Sequence, residues 1–321
     1  MTTQPRLLIT RKLTDNVERR ALETYDVVNN PADKLWTAQE LIKNCQGIDA
    51  ILPCHTEIFN ADLIAALPSS VKIVANHSVG VDHCDLDAFK SKGIVVTNTP
   101  DVLSDATTEI AFLLMLGAAR RAVEGDRMVR AGQWDSWSPS FMVGAQVTGK
   151  RLGIIGMGRV GQVMAKRARG FDMDVHYYNR KRLPTDLEQG AIFHTTPESL
   201  MQVSDFLSIH CPATPETKGL INRKRLKLLP KGAVVVNTAR GAIIDEEALL
   251  DALDKGHIYA AGLDVFVNEP GGNPKFSSHD NVFMLPHIGS ATFDTRDAMG
   301  YRALDNIDAF FAGTEPLDKL V

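Results

Sequence analysis

The chain has 321 residues, 44% of them hydrophobic and 23% charged, enough for two domains with separate cores and ordinary for a globular protein. A formal net charge of -4 supplies no basic field for nucleic acid or an anionic membrane surface, and no apolar run approaches the roughly 20 residues of a membrane span. The polar start MTTQPR is no signal peptide, and the scattered Cys45, Cys54, Cys84 and Cys211 suit free thiols in a reducing cytoplasm.

In chain order, 7–10 reads as a buried strand and 15–25 as an amphipathic helix. Thr37 and Glu40 have the spacing of a capping box, starting a helix that runs to about Cys45. Strands at 50–52, 71–75 and 94–97 alternate with helices at 61–66 and 86–92, an order that implies a parallel sheet covered by helices. This unit ends near Asn98. Next, 105–130 reads as one long helix, apolar nearly all round, buried between domains, in a dimer interface or inside one large core. A loop carrying Trp134, Trp137, Phe141 and Met142 follows.

The stretch 152–182 organises the rest. Strand-like 152–155 runs into Gly156-Met-Gly158-Arg-Val-Gly161, and 162–169 reads as a helix stopping at Gly170. Gly156 allows the tight turn, Gly158 lets backbone approach a pyrophosphate, and Gly161 lets helix pack on strand. The helix N-terminus offers N–H groups and partial positive charge to phosphates, which points to a dinucleotide. Where an acidic residue about 20 positions on would bind the ribose of NAD, after a strand at 175–178, stands Asn179, followed by Arg180, Lys181 and Arg182. A basic cluster there suits a 2'-phosphate and favours NADPH over NAD.

Strands follow at 191–194, 206–210, 233–237, 259–264 and 282–285, with helices at 198–203 and 246–255 among others and a closing helix at 292–312. The expected fold is α/β, with two doubly wound parallel-sheet (Rossmann-like) domains. A dinucleotide-binding domain, 100–289, is inserted in a discontinuous substrate domain, 1–99 and 290–321.

In such sheets ligands bind beyond the carboxyl ends of the strands. Arg240, Glu269 and His287 each follow an apolar strand; singly they read as a surface arginine, a loop carboxylate and a structural histidine, and Asp264 as the side chain closing a turn. Together with Ser78-Val79-Gly80-Val81-Asp82, Thr99-Pro100-Asp101, His210-Cys211-Pro212, Asn237-Thr238-Ala239-Arg240-Gly241 and Leu285-Pro286-His287-Ile288-Gly289-Ser290, they resemble the D-2-hydroxyacid dehydrogenase family over nearly the whole chain. Within it, Asn179 to Arg182 and the Trp-rich loop look most like the NADPH-dependent glyoxylate and hydroxypyruvate reductases.

The resemblance implies that Arg240 holds the substrate carboxylate and keto oxygen, that His287 donates the proton, and that Glu269 pairs with His287 to favour its charged form. Backbone N–H groups of Val79 and Gly80 would anchor the carboxylate further. The implied cofactor contacts are Thr107, Gly156, Gly158, Arg159, Val160, Gly161, Asn179, Arg180, Lys181, Arg182, Cys211, Pro212, Thr217, Thr238, Asp264, His287 and Ser290, with Asp264 on the nicotinamide carboxamide. An aromatic of this loop, Phe141 or else Trp134 or Trp137, would enter the active site of a partner in a homodimer. His77, His83, Cys84, Cys54 and His55 lack the regular short spacing of a metal site, so no metal is expected. Alternatives are an NAD-linked relative such as phosphoglycerate dehydrogenase, which Asn179 and the expected lack of a regulatory domain disfavour, and a corepressor-like cofactor sensor, disfavoured by the absence of long disordered tails and of a basic patch. Glu269 disfavours formate dehydrogenase, which pairs its histidine with glutamine.

Overall fold

The computed structural model describes residues 4–321; residues 1–3 of the polar start lie outside it. The elements run β1 (Arg6–Ile9), α1 (Asp15–Thr24), β2 (Asp26–Val28), α2 (Ala38–Asn44), β3 (Ala50–Leu52), α3 (Ala61–Ala66), β4 (Ile73–Ala75), α4 (Leu86–Lys92) and β5 (Val95–Thr97). Then come α5 (Ser104–Ala119), α6 (Ala122–Arg130), β6 (Arg151–Ile155), α7 (Arg159–Arg169), β7 (Asp174–Tyr178), α8 (Thr185–Glu188), β8 (Ile192–His194) and α9 (Pro197–Met201). Last are β9 (Phe206–Ile209), α10 (Arg223–Leu226), β10 (Ala233–Asn237), α11 (Glu246–Asp254), β11 (Ile258–Leu263), β12 (Val282–Met284) and α12 (Phe293–Phe311).

The chain divides into two compact units, one made of residues up to Leu103 with Ser290–Val321, the other of Ser104–Gly289. In the first, parallel strands run in the order β2-β1-β3-β4-β5. Successive side chains of a strand face opposite ways, so Leu7 and Ile9 pack with Val17 of α1 and Ala303 and Leu304 of α12, while Leu8 packs with Leu41, Leu63 and Phe89 of α2, α3 and α4. Each face of the sheet is thereby covered. The Thr37–Glu40 capping box forms as the sequence indicates.

The second unit is a parallel sheet ordered β12-β11-β10-β9-β6-β7-β8. The strand order reverses between β6 and β9, which is where a doubly wound sheet opens a crevice at its carboxyl ends. Ile154 faces the core built with α5 and α7, Ile155 the core built with α9, α10 and α11. Among the described residues no helix is long and apolar enough to cross a membrane, and all four cysteines are unbridged.

The expected helix 105–130 is two helices. Arg121 takes a left-handed φ of 56°, and the loop backbone crosses the end of α5: Ala145 N–H donates to Ala119 O at 2.8 Å, and a Cβ on Gly144 would meet that oxygen at 2.4 Å. A continuous helix needs that carbonyl for Val123, so the crossing strand of chain ends it. No glycine or proline marks the break, which is why the sequence hides it. The apolar character of α5 is satisfied inside the second unit, where Leu114 meets Gly262 and Gly117 meets the Phe283 ring, while Leu113 stays 46% exposed.

Other boundaries shift less. Helix α7 begins at Arg159 rather than at 162, with Gly158 as its N-cap, so Gly161 lies inside the first turn. The edge strand β2, half-exposed along its length, had no apolar run to announce it.

Candidate active site

Two of the glycines after β6 sit where a side chain has no room. Gly156 has φ +96°, and a Cβ there would meet Cys211 N at 2.4 Å; one on Gly161 would meet Gly156 O at 2.2 Å. A Cβ on Gly158 would meet nothing within 4 Å, leaving a cradle beside the N-terminus of the eleven-residue α7. That opening, together with the helix dipole, fits a pyrophosphate lying against the Arg159 and Val160 backbone. Asn179 directly follows β7, its Oδ1 accepting the Met157 N–H at 2.7 Å, so it braces the glycine turn and leaves its amide NH2 as a donor.

The basic cluster separates into unlike parts. Arg182 spends Nε and Nη2 on the two oxygens of Glu188, at 2.8 and 3.0 Å, beside the buried Tyr177 hydroxyl. It therefore holds the loop. Arg180 and Lys181 are exposed, and the Arg180 charge helps hold the Glu216 carboxyl below its usual range, after a hydrogen bond from Thr214. The Thr217 hydroxyl closes its own loop, donating to Pro212 O and accepting the Thr214 N–H. Cys211 is buried, its thiol pushed up to about 11 by loss of solvent; burial likewise pushes His210 down to about 4, next to the Ser208 hydroxyl and 3.5 Å from that of Thr238.

Three loops of the second unit carry the candidate residues Arg240, Glu269 and His287. At the end of β10, Asn237 fixes a turn by accepting the Ala239 N–H and donating to Arg240 O. Gly241 then approaches the next loop so closely that a Cβ would meet the Phe266 carbonyl carbon at 1.9 Å. In that loop the Glu269 carboxylate accepts the Phe266 N–H through Oε1 at 2.7 Å and faces His287 Nδ1 through Oε2 at 2.6 Å. Glu246 holds the same loop through Val267 N and Asn273 Nδ2. Nothing in the spacing of Asn237, Gly241 or Glu246 announced these tasks.

His287 itself has φ 54°, a conformation that costs a non-glycine residue on the order of 1–3 kcal/mol and persists only where its surroundings hold it. Asp264 is 1% exposed, and both its carboxylate oxygens accept backbone N–H groups, from Ile288 and Gly289. This is the turn-closing role that the residue suggests by itself. Thr107 lies alongside, 3.4 Å from a Cβ placed on Gly289.

Val79 and Gly80 belong to the first unit, in the loop after β4. Their carbonyls are taken, Val79 O by the Asn98 amide at 2.8 Å and Gly80 O by the Ser78 hydroxyl at 2.8 Å. His83 closes the same loop onto Asn76, at 3.0 Å. Ser290 stands in this unit before α12.

Residues 112–289 match the family model described as the NAD binding domain of D-isomer specific 2-hydroxyacid dehydrogenase. Over 312 residues the chain is 43% identical to a glycerate dehydrogenase of Hyphomicrobium methylovorum, covering 97% of each. It is 41% identical over 318 residues to a glyoxylate reductase of Thermococcus kodakarensis, 98% of this chain and 95% of that one. A solved NADPH-dependent glyoxylate/hydroxypyruvate reductase of Sinorhizobium meliloti, in complex with NADP and malonate, superposes with TM-score 0.88 at 31% identity, covering 99% of this chain and 97% of that one. The chain belongs to the D-isomer specific 2-hydroxyacid dehydrogenases. It is an oxidoreductase of small keto acids and takes a nicotinamide cofactor.

Proposed function

We propose that this enzyme reduces small 2-keto acids to D-2-hydroxy acids with NADPH in preference to NADH, glyoxylate and hydroxypyruvate being its leading substrates. The observation that carries the reading is the pairing of His287 Nδ1 with Glu269 at 2.6 Å. With Nδ1 engaged by the carboxylate, proton transfer would run through Nε2. The bound nicotinamide would supply the hydride. Arg240 would hold the substrate carboxylate and draw charge onto the keto oxygen, Val79 and Gly80 would offer N–H groups to the carboxylate, and His287 would protonate the oxygen as it becomes an alkoxide.

Arg159, Val160 and the glycines would cradle the pyrophosphate, Thr107 and Thr238 would stand nearby, and Asn179 with Arg180 and Lys181 would meet the ribose and its 2'-phosphate. NAD preference is the competing reading, and the engagement of Arg182 with Glu188 favours it to the extent that one cation is withdrawn. We place the enzyme in the cytoplasm as a homodimer, with an aromatic of the loop that carries Trp134, Trp137 and Phe141 reaching the partner's active site. A spectrophotometric screen of 2-keto acids, NADPH and NADH side by side, tests the whole reading. Turnover highest with glyoxylate or hydroxypyruvate and a higher kcat/KM for NADPH is expected; equal or better use of NADH overturns the cofactor preference, and no turnover of either acid overturns the substrate assignment.

A further inference from the structure

The loop that carries Glu269 is gripped by a side chain from outside it. Glu246, the first residue of α11, accepts the Val267 N–H through Oε1 at 2.8 Å and the Asn273 side-chain amide through Oε2 at 3.1 Å. Val267 precedes Glu269 in the chain and Asn273 follows it, so the two contacts straddle the acid. Glu246 stands on a fixed base: the Asp245 N–H donates to Ile221 O at 3.0 Å, and the Asp245 carboxylate caps α11 by accepting the Ala248 N–H at 3.0 Å. Inside the gripped span, Gly272 N–H donates to Asn268 O at 2.8 Å and Glu269 accepts the Phe266 N–H at 2.7 Å. A Cβ on Gly241 would meet Val267 N at 2.3 Å, so the segment after Arg240 abuts the loop at the same place. One carboxylate thereby ties the segment that carries Arg240 to the loop that carries Glu269.

We propose that Glu246 is a positioning residue for the Glu269–His287 pair: it clips the 267–273 loop to the start of α11 and so sets where the Glu269 carboxylate meets the imidazole. The inference rests on the proton-donor reading of His287 proposed above. A carboxylate suits the task, because it accepts at each of two oxygens and carries no donor to oppose the Val267 N–H or the Asn273 amide. Without the clip the loop is free on both sides of Glu269, and a displacement of about 1 Å from a reacting geometry can lower a rate by about 100-fold.

The test is a double-mutant cycle on the full-length enzyme: Glu246→Ala, Glu269→Ala and the pair, with Glu246→Gln beside them, each read by glyoxylate turnover and NADPH fluorescence titration. Glu246→Ala is expected to lower kcat by roughly 10- to 100-fold and to leave the NADPH Kd within about twofold. Glu246→Gln keeps an acceptor for the Val267 N–H while turning an NH2 toward Asn273, and should recover kcat to within about fivefold of normal. In the Glu269→Ala background, Glu246→Ala should change the residual rate less than about twofold, because the carboxylate it places is gone. A similar loss in both backgrounds, no recovery in Glu246→Gln, an NADPH Kd raised about tenfold, or a kcat of Glu246→Ala within about twofold of normal overturns the proposal alone. Near-normal turnover of His287→Ala overturns the proton-donor reading and the proposal with it. Should Glu246→Ala not fold, Glu246→Asp takes its place in the cycle, since it keeps the charge but is one methylene short of spanning both contacts. A fall in kcat of roughly 3- to 30-fold, confined to the enzyme that retains Glu269, is then expected, and an equal fall in both backgrounds or none in either overturns the proposal.

Discussion

His287 Nδ1 lies 2.6 Å from Glu269 Oε2, and the other oxygen of that carboxylate accepts the Phe266 N–H at 2.7 Å. The acid is thus aimed from behind by its own loop, so the ring it faces has one orientation. His287→Ala removes the proposed proton donor and is expected to lower kcat by about 10²- to 10⁴-fold with NADPH binding nearly intact. Glu269→Gln keeps the size but not the charge, and a smaller loss in kcat is expected. Steady-state kinetics beside a cofactor titration checks both; turnover of His287→Ala within a few-fold of normal would rule out its role.

Gly241 follows Arg240 and touches the Glu269 loop, a Cβ there meeting Phe266 C at 1.9 Å and Val267 N at 2.3 Å. Those are backbone atoms and cannot swing aside. Gly241→Ala should therefore displace the loop, with a cost of about 1–3 kcal/mol and a fall in kcat. Thermal unfolding and glyoxylate turnover measure the two effects, and a variant unchanged in both would show that the loop yields freely.

The cofactor cluster should divide by residue. With Arg182 engaged by Glu188, Arg180→Ala is expected to raise the NADPH KM by about 10- to 100-fold and that for NADH little, the value of one charge-assisted contact. Arg182→Ala should chiefly loosen the 179–188 loop and affect both cofactors alike. Selective loss of NADPH use in Arg182→Ala would reverse the assignment.

His77 is 5% exposed, and burial holds its imidazole down at about 4 from the ordinary 6.5. Between those values the unfolded chain carries a proton that the folded one refuses. Stability should therefore be full above 6.5 and fall as pH drops toward 4, by roughly 3 kcal/mol for this group. His77→Gln should flatten the dependence of Tm on pH over that interval, and identical slopes would remove His77 as its source.

Trp134, Trp137 and Val143 are 57%, 74% and 61% exposed, a costly display for a lone subunit. Sedimentation at micromolar concentration should show a homodimer; a monomer would leave these side chains without an explanation.

Much of the frame was legible because it depends on neighbours in the chain. The Thr37–Glu40 capping box, the strands ending at Leu52 and Asn237, and the glycine turn at 156–161 rest on local patterns of hydrogen bonding, burial and φ freedom. Arg240, Glu269 and His287 each follow a strand, where such sheets bind ligands, but only the family resemblance grouped them as a set. The division of labour around them was not legible. Asp264 by itself suggested a turn, and family likeness a cofactor contact; only the folded chain places its two oxygens on Ile288 and Gly289.

The sequence by itself determined two doubly wound units and a glycine turn after β6, since periodicity and glycine placement act over a few residues. Tertiary structure decided which groups brace and which reach out: Arg182 toward Glu188, Asn179 toward Met157, the break of the long helix where Ala145 takes the Ala119 carbonyl, and the clamp on His287. Each of these decisions is a hydrogen bond whose partner is distant in the chain or set by a loop's path, and no local pattern encodes it.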